Sequence, residues 1–300
     1  MGAKNMAEQP GTLLYYLKRS TEFLEKKEIP NPRVDAEWIL SDLLNLPRIK
    51  LYSQFEMPLS QKEIDLYRER IVERSKRKPV AYITGKKGFH QFEYLVSEDV
   101  LIPRPETEEL VDFLFKQKET LRTEFPDGFQ IWDLCSGSGC IGLSLSQLLE
   151  PKAVVLSDIS EEAIQQSKAN AEKYQLTGIQ FYVSNLDESL PNHLRFDIIV
   201  SNPPYIPDSE KKDIMPDVLD YEPHLALFVS DIIEFHRALF LSAKQRLKPG
   251  GWFLMETHPN YIHELESLAI SLGFVSERRI LDSSNKERFL FLKTEAKIGS

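Results

Sequence analysis

From Ile131 to Met255 the chain alternates short apolar, β-rich runs with stretches of helical periodicity, and this alternation narrows the fold more than any other feature. The runs are Ile131 to Cys135, Ala153 to Ser157, Ile179 to Val183, Asp197 to Val200 and Trp252 to Met255. Strands joined by helical crossovers pair in parallel and are covered by helices, so the spacing predicts an α/β domain. Two later runs, Phe274 to Leu281 and Arg288 to Leu292, are separated only by Asp282-Ser283-Ser284-Asn285. That turn is too short for a crossover, so one antiparallel strand is expected to end the sheet.

Upstream the period is different. Leu13, Leu14, Leu17 and Leu24, and again Val34, Trp38, Ile39 and Leu43, recur at helical spacing. Ser60 with Glu63 reads as a capping box ahead of the stripe Ile64, Tyr67 and Ile71. These patterns predict a domain of several short helices over residues 1–79. Val80 to Thr84 and Phe92 to Val96 read as short β-like pieces, which makes 80–104 a linker with a hairpin. Pro105 suits a first helical position, with Glu106, Glu108 and Glu109 where the helix dipole favours negative charge. The second domain is expected over 105–300, with Glu295 to Ser300 frayed. At 300 residues and 42% hydrophobic composition the chain can bury cores for both domains.

Charge and cysteine content exclude several classes. Lys and Arg number 37 against 46 Asp and Glu, a net charge of −9, so no general attraction to a phosphate backbone is expected. No apolar run approaches the roughly 18 residues of a membrane span, and no signal-peptide pattern opens the chain, so a cytoplasmic location is expected. Cys135 and Cys140 are too few for a zinc site or disulfide framework and are expected to be reduced, small and buried. The six histidines, including His258 and His263, lack metal-pair spacing, so no metal is expected.

The run Ile131 to Cys135 enters Ser136-Gly137-Ser138-Gly139 and then an apolar helix. Backbone N–H groups at such a helix start face the crevice at the strand's C-terminal end, and glycines let a ligand approach the main chain. Gly137, Gly139 and Gly142 also satisfy the dinucleotide fingerprint, and Asp158 follows at about the expected ~20 residues. Asp158 is placed to accept from two ribose hydroxyls, which identifies an adenosine-type ligand without choosing between a nicotinamide and another adenosyl cofactor. Two roles are open to Asp133: anchoring loop amides, or meeting a ligand ammonium.

Ser201-Asn202-Pro203-Pro204-Tyr205 ends the next strand and is the most specific signal in the chain. Consecutive prolines stiffen the backbone and donate no N–H, leaving carbonyls as fixed acceptors. Fixed acceptors on Asn202 and Pro203 suit the two hydrogens of a planar NH₂ whose lone pair is delocalised, and positioning then supplies much of the catalysis. Tyr205 offers an aromatic wall for that group. Hydride transfer has no use for such acceptors, so S-adenosylmethionine is preferred over nicotinamide as the cofactor.

Asn-Pro-Pro-Tyr at 202–205, with the loop from Asp133 to Gly139, resembles amino methyltransferases generally, DNA adenine enzymes included. Further segments narrow the likeness: Pro79 to Gly85, Leu101 to Glu108, Glu222-Pro223 with Ala226-Leu227, and Pro32-Arg33 with Asp35-Ala36-Glu37. Together, from about Asn31 to Leu292, they resemble the HemK (PrmC) family of bacterial release-factor glutamine methyltransferases.

The resemblance implies a Rossmann-like, seven-stranded class I methyltransferase sheet behind a small helical domain that helps dock the partner. It further implies methylation of the glutamine of a Gly-Gly-Gln loop in class I release factors, S-adenosylhomocysteine being the other product, without a nucleic-acid substrate or a membrane. Carried over by position, Asp133, Cys135, Ser136, Gly137, Ser138, Gly139, Asp158, Asn185, Leu186 and Asn202 would hold the cofactor. Asn202, Pro203, Pro204 and Tyr205 would grip the substrate amide. Two departures stand out. Ser184-Asn185 replaces the family's frequent Ser or Gly followed by Asp, which removes a charge, and Cys135 replaces a frequent glycine, tolerable only if its φ is negative.

Two other readings compete. A nucleic-acid amino methyltransferase poses the same chemical problem at adenine's exocyclic amine, but the acidic balance and the lack of a long basic region weigh against it. A non-catalytic module clamping a translation factor is the third. The basic run Arg74, Lys76, Arg77 and Lys78 suits either a solvated helix end or contact with RNA or an acidic protein face. Arg104 and Glu108 read either as cleft residues or as a linker ion pair.

Overall fold

The computed structural model describes residues 9–296, so the fraying expected at the extreme C-terminus falls partly on residues 297–300, outside that range. The chain divides into two units. One holds the chain through Gly85 together with Met215–Tyr221, and the other holds Lys86–Ile214 and the chain from Glu222 onward.

The first unit is helical: α1 (Leu13–Glu25), α2 (Pro32–Leu43), α3 (Arg48–Leu51), α4 (Gln61–Ser75), α5 (Val80–Thr84) and, from later in the chain, α10 (Pro216–Leu219). Its core gathers Leu13, Leu17, Leu24, Ile39, Leu40, Ile64, Tyr67 and Ile71. The capping box at α4 forms as the pattern predicts: the Glu63 amide donates to Ser60 Oγ, and the Ser60 amide donates to Glu63 Oε2. Val34 and Trp38 depart from the expected apolar stripe and are exposed. The buried face of α2 instead carries Ala36, Glu37, Ile39 and Leu40, and the Arg48 guanidinium covers the Trp38 ring.

Val80 to Thr84 is a helix, correcting the β reading. Pro79 fits the position before a helix start, and Gly85, at φ +72, takes the left-handed conformation that terminates it. Arg74, far from a solvated helix end, is buried between Asp35 (2.7 Å) and Asp217 (2.7 Å), and Arg77 pairs with Asp217 as well.

The second unit opens with a hairpin, β1 (Lys86–Phe89) and β2 (Phe92–Leu95), followed by α6 (Pro105–Lys116) and α7 (Lys118–Glu124). Then come β3 (Gln130–Leu134), α8 (Cys140–Leu149), β4 (Ala153–Asp158), α9 (Glu161–Lys173), β5 (Ile179–Val183) and β6 (Phe196–Ser201). The remaining elements are β7 (Ile206–Pro207), α11 (His224–Leu227), β8 (Phe228–Val229), α12 (Ile232–Arg246), β9 (Leu247–Glu256), α13 (Ile262–Ser271), β10 (Val275–Leu281) and β11 (Glu287–Lys293).

Seven strands form one sheet in the order β10-β11-β9-β6-β3-β4-β5. Every residue of β6 is buried, as a central strand covered on both faces requires. Only β11 runs antiparallel, but it lies between β9 and β10 and does not end the sheet. Burial explains this: Phe289, Leu290, Phe291 and Leu292 need cover from both sides, whereas the Ser-Glu-Arg-Arg stretch of β10 tolerates an edge.

The chain winds outward through β3, β4 and β5, then returns to lay β6 on the other side of β3. The order therefore reverses at β3 and β6, and a crevice opens at their C-terminal ends.

Candidate functional site

Both sequence motifs sit at that crevice. The glycine loop leaves β3, and Asn202 to Tyr205 leave β6 beside it. One cleft is lined by Cys135, Ser136, Gly137, Ser138, Asp158, Asn185, Leu186, Asn202 and Pro204, together with Arg104, Thr107 and Leu225. Pro203, Tyr205, Asp133 and Gly139, also assigned to the site from sequence, are not among these lining residues.

The loop owes its shape to contacts on all sides. Asp133 is fully buried beneath it; its Oδ2 accepts from the Gly142 amide in the first turn of α8 at 2.8 Å, and its Oδ1 is buried without a partner among the described residues, so both roles stay open to it. Burial, reinforced by the charge of Asp158, pushes the Asp133 carboxyl up to about 7. A Cβ on Gly139 (φ +79) would fall 2.9 Å from both Leu156 and Ser167, so this glycine serves packing. A Cβ on Gly137 (φ +53) would meet nothing within 4 Å, so the space beside it is open for a ligand. Asn170 ties the loop to the hairpin, its Nδ2 donating to Ser138 O and Leu95 O, each at 2.9 Å.

Cys135 corrects the sequence expectation, because its φ is +63. A left-handed non-glycine residue costs about 1–2 kcal/mol. The neighbouring Ser136 amide, which donates to Ser157 O at 3.0 Å, helps hold the turn, and burial pushes the Cys135 thiol well above its ordinary range. A nucleophilic thiolate is therefore disfavoured.

Asp158 ends β4 with Oδ2 accepting from the Gly137 amide (2.8 Å) and Oδ1 from the Ser160 amide (3.0 Å). Each carboxylate oxygen keeps a lone pair for a further donor. Asn185 is exposed and donates to Glu188 Oε1 at 3.1 Å, and Leu186 sits at φ +50 on the cleft wall. Ser136 Oγ is buried on that wall and makes no hydrogen bond among the described residues, as a group reserved for a ligand would. The donors, the open space at Gly137 and the acid at Asp158 fit an adenosyl amino-acid cofactor.

Asn202 donates from Nδ2 to Thr107 Oγ1 at 3.1 Å, while its Oδ1 is buried without a partner among the described residues. Tyr205 donates to Glu256 Oε1 at 2.9 Å. Arg104 pairs with the buried Glu222 at 2.7 Å, not with Glu108, and Glu222 also accepts from the Ile102 amide. The Glu222-Pro223 signature thus fixes the segment leading into α6. Thr107, Glu222 and Glu256 have no role assigned by sequence reasoning, since no local pattern reports partners so far apart in the chain. Among the described residues, no group of His, Cys, Asp and Glu is arranged to hold a metal ion.

A family profile described as PrmC N-terminal domain matches residues 16–85, and one described as methyltransferase domain matches residues 126–286. A release factor glutamine methyltransferase of Leptospira interrogans is 47% identical over 292 residues, covering 95% of this chain and 99% of its own. One from Chlorobaculum tepidum is 33% identical over 287 residues, covering 94% of this chain and 97% of its own. Among solved structures, a methyltransferase from Pyrococcus furiosus aligns with a TM-score of 0.50 at 17% identity, over 76% of this chain and 98% of that one, a likeness of fold alone.

Proposed function

The chain belongs to the release factor glutamine methyltransferase family, and on that premise we propose that it methylates the Gly-Gly-Gln glutamine of class I peptide chain release factors at the side-chain amide nitrogen. The activity is S-adenosylmethionine-dependent methyl transfer, and the alternatives of a nucleic-acid amino methyltransferase or a non-catalytic module are not favoured. The observation that carries the finer reading is Asn202 Oδ1, a buried acceptor on the cleft wall with no partner among the described residues.

When bound, S-adenosylmethionine supplies a methyl group activated by the sulfonium to which it is attached. Ser136, Gly137, Asp158 and Leu186 would hold this cofactor against the loop, and Asp158 would accept from ribose hydroxyls. Asn202 Oδ1 accepts one N–H of the substrate amide and the Pro203 carbonyl the other, which leaves the nitrogen lone pair to be aimed by position. Pro204 stiffens the wall, and Tyr205 supports it from behind through Glu256. No strong base is needed: Asn202 Oδ1 and the Pro203 carbonyl favour the positive charge that develops on the amide nitrogen, and the proton it then loses passes to water.

The helical unit is proposed as the docking element for the release factor, with no nucleic-acid substrate and no membrane involved. A cytoplasmic site of action belongs to the same proposal, and among the described residues no helix is long and apolar enough to cross a membrane. The test combines purified protein, methyl-labelled S-adenosylmethionine and unmethylated release factor, followed by mass spectrometry of the Gly-Gly-Gln peptide. One added methyl on that glutamine is expected. An unlabelled release factor alongside methylated DNA or RNA would overturn the reading.

A further inference from the structure

A hydrogen-bond relay runs inward from the cleft wall. Thr107, near the start of α6 and 2% exposed, lies with its Oγ1 2.6 Å from Oε2 of Glu256, which ends β9 and is 1% exposed. Asn202 Nδ2 lies 3.1 Å from the same threonine oxygen, and Tyr205 OH lies 2.9 Å from the other oxygen of Glu256. We infer that Glu256, acting through Thr107, is a positioning residue that decides which end of the Asn202 amide faces the substrate.

The reasoning is one of proton counting. An ionised carboxylate only accepts, so Thr107 and Tyr205 must each give Glu256 their single hydroxyl hydrogen. Thr107 Oγ1 is then left with lone pairs alone, and the end of Asn202 that meets it has to be the NH₂. The amide oxygen is thereby turned the other way, which matches the buried, unpartnered Oδ1 on the cleft wall.

Reversing the relay would present the Asn202 NH₂ to a substrate NH₂, donor against donor. Burial, with the charge of Glu106 adding to it, raises the Glu256 pKa above its ordinary value, while the two donated hydrogen bonds and Arg288 oppose that rise and favour the ionised form on which the proton count rests. Burial and the adjacent carboxylate raise the Tyr205 pKa well above its ordinary value, so its hydroxyl remains a donor. A glutamine at 256 would fill the same volume but could not accept from both neighbours, since one end of its amide must donate.

This inference rests on the proposed role of Asn202 Oδ1 as the acceptor of the substrate amide, so its experiment starts from a wild-type enzyme that methylates the release factor. Thr107→Val removes the hydroxyl at nearly constant shape, Thr107→Ser keeps it, and Glu256→Gln breaks the one-way order. Thr107→Val and Glu256→Gln should lower kcat about 10- to 100-fold, the range expected when a buried polar group is left unmatched. The cofactor Kd should stay near wild type, and Thr107→Ser should recover most of the loss.

A second readout separates positioning from mere support. A Gly-Gly-Glu release factor presents a carboxylate where the amide stood. It should inhibit wild type weakly and Thr107→Val more tightly, because the freed Asn202 can turn its NH₂ toward it. Full activity in Thr107→Val, equal impairment of the Val and Ser variants, or unchanged inhibition by the Glu form would each overturn the inference. Should Glu256→Gln not fold, the threonine pair still decides. A wild type that leaves release factor unmethylated removes the underlying reading and this one with it.

Discussion

Asp158 and Gly137 are joined by a 2.8 Å hydrogen bond from the loop amide to Oδ2, so the acid at the end of β4 both shapes the glycine loop and lines the cleft beside it. Asp158→Ala removes this bond and the proposed ribose acceptor together. Hydrogen bonds to charged groups contribute about 1.5–3 kcal/mol, so S-adenosylmethionine affinity should fall on the order of 10- to 100-fold. Calorimetric titration reads it, and unchanged affinity would remove Asp158 from the cofactor site.

Asn202→Ala deletes the buried acceptor and leaves the loop and Asp158 untouched. Loss of one preorganised polar contact to a transition state costs on the order of 10²-fold in kcat. Turnover on release factor should drop by about that factor while cofactor Kd stays near wild type. Equal losses in both measurements would show that Asn202 supports the fold of the cleft and does not engage the substrate.

Gly137 and Gly139 are two residues apart, both at positive φ, yet they should respond differently to alanine. At Gly139 the new Cβ would lie 2.9 Å from Leu156 and Ser167, so overpacking of about 1–3 kcal/mol adds to about 1–2 kcal/mol of left-handed strain. Gly139→Ala should therefore melt well below wild type. Gly137→Ala carries only the strain, but its methyl would project into the open space assigned to the ligand. It should stay folded and bind S-adenosylmethionine poorly. Comparable melting temperatures for the two variants would contradict this division.

Much of the larger unit was legible because its signals are local. Ile131 to Leu134, Ala153 to Ser157 and Ile179 to Val183 fall on β3, β4 and β5, the first two as largely buried parallel strands and the third as a partly exposed edge strand. Val80 to Thr84 misled because five residues are too few for a period to show, and the caps at Pro79 and Gly85 carried the information. The position of β11 was hidden because spacing fixes the direction of a hairpin strand but not its rank in the sheet. Thr107 to Glu256 spans 149 residues and Asn202 to Thr107 spans 95, so only the folded backbone brings the relay together. The left-handed Cys135 escaped for a related reason: its backbone conformation is imposed by the strand-to-helix turn, against the residue's own preference.

Arg74 is buried with carboxylates on both sides, Asp35 and Asp217. Removing the guanidinium leaves two partly buried acids facing each other without a counter-charge; breaking a fully buried pair costs about 3–5 kcal/mol, and the loss here should approach the lower end of that range. Arg74→Ala should therefore destabilise the helical unit strongly, as followed by protection of its amides from hydrogen exchange. The triple variant with Asp35→Asn and Asp217→Asn should recover part of the loss, since no charge is then stranded. A neutral single variant would show that the cluster is solvated.

His236 gives a pH signature that comes from the fold and not from catalysis. It is fully buried on α12, with Nδ1 2.7 Å from Ile232 O and Nε2 unpartnered among the described residues. Burial lowers its pKa from 6.5 to about 4, opposed by the hydrogen bond to Ile232. Between those values the unfolded chain takes up a proton that the folded chain refuses. The contribution of neutral His236 is thus complete above pH 6.5, and it falls away as pH drops toward 4. From pH 7.5 to 5 that loss is on the order of 2 kcal/mol. His236→Leu has no such proton to gain, so its unfolding free energy should fall less steeply over that span in chemical denaturation at both pH values. Parallel pH curves for the two proteins would mean that the imidazole is protonated as readily inside the fold as outside it.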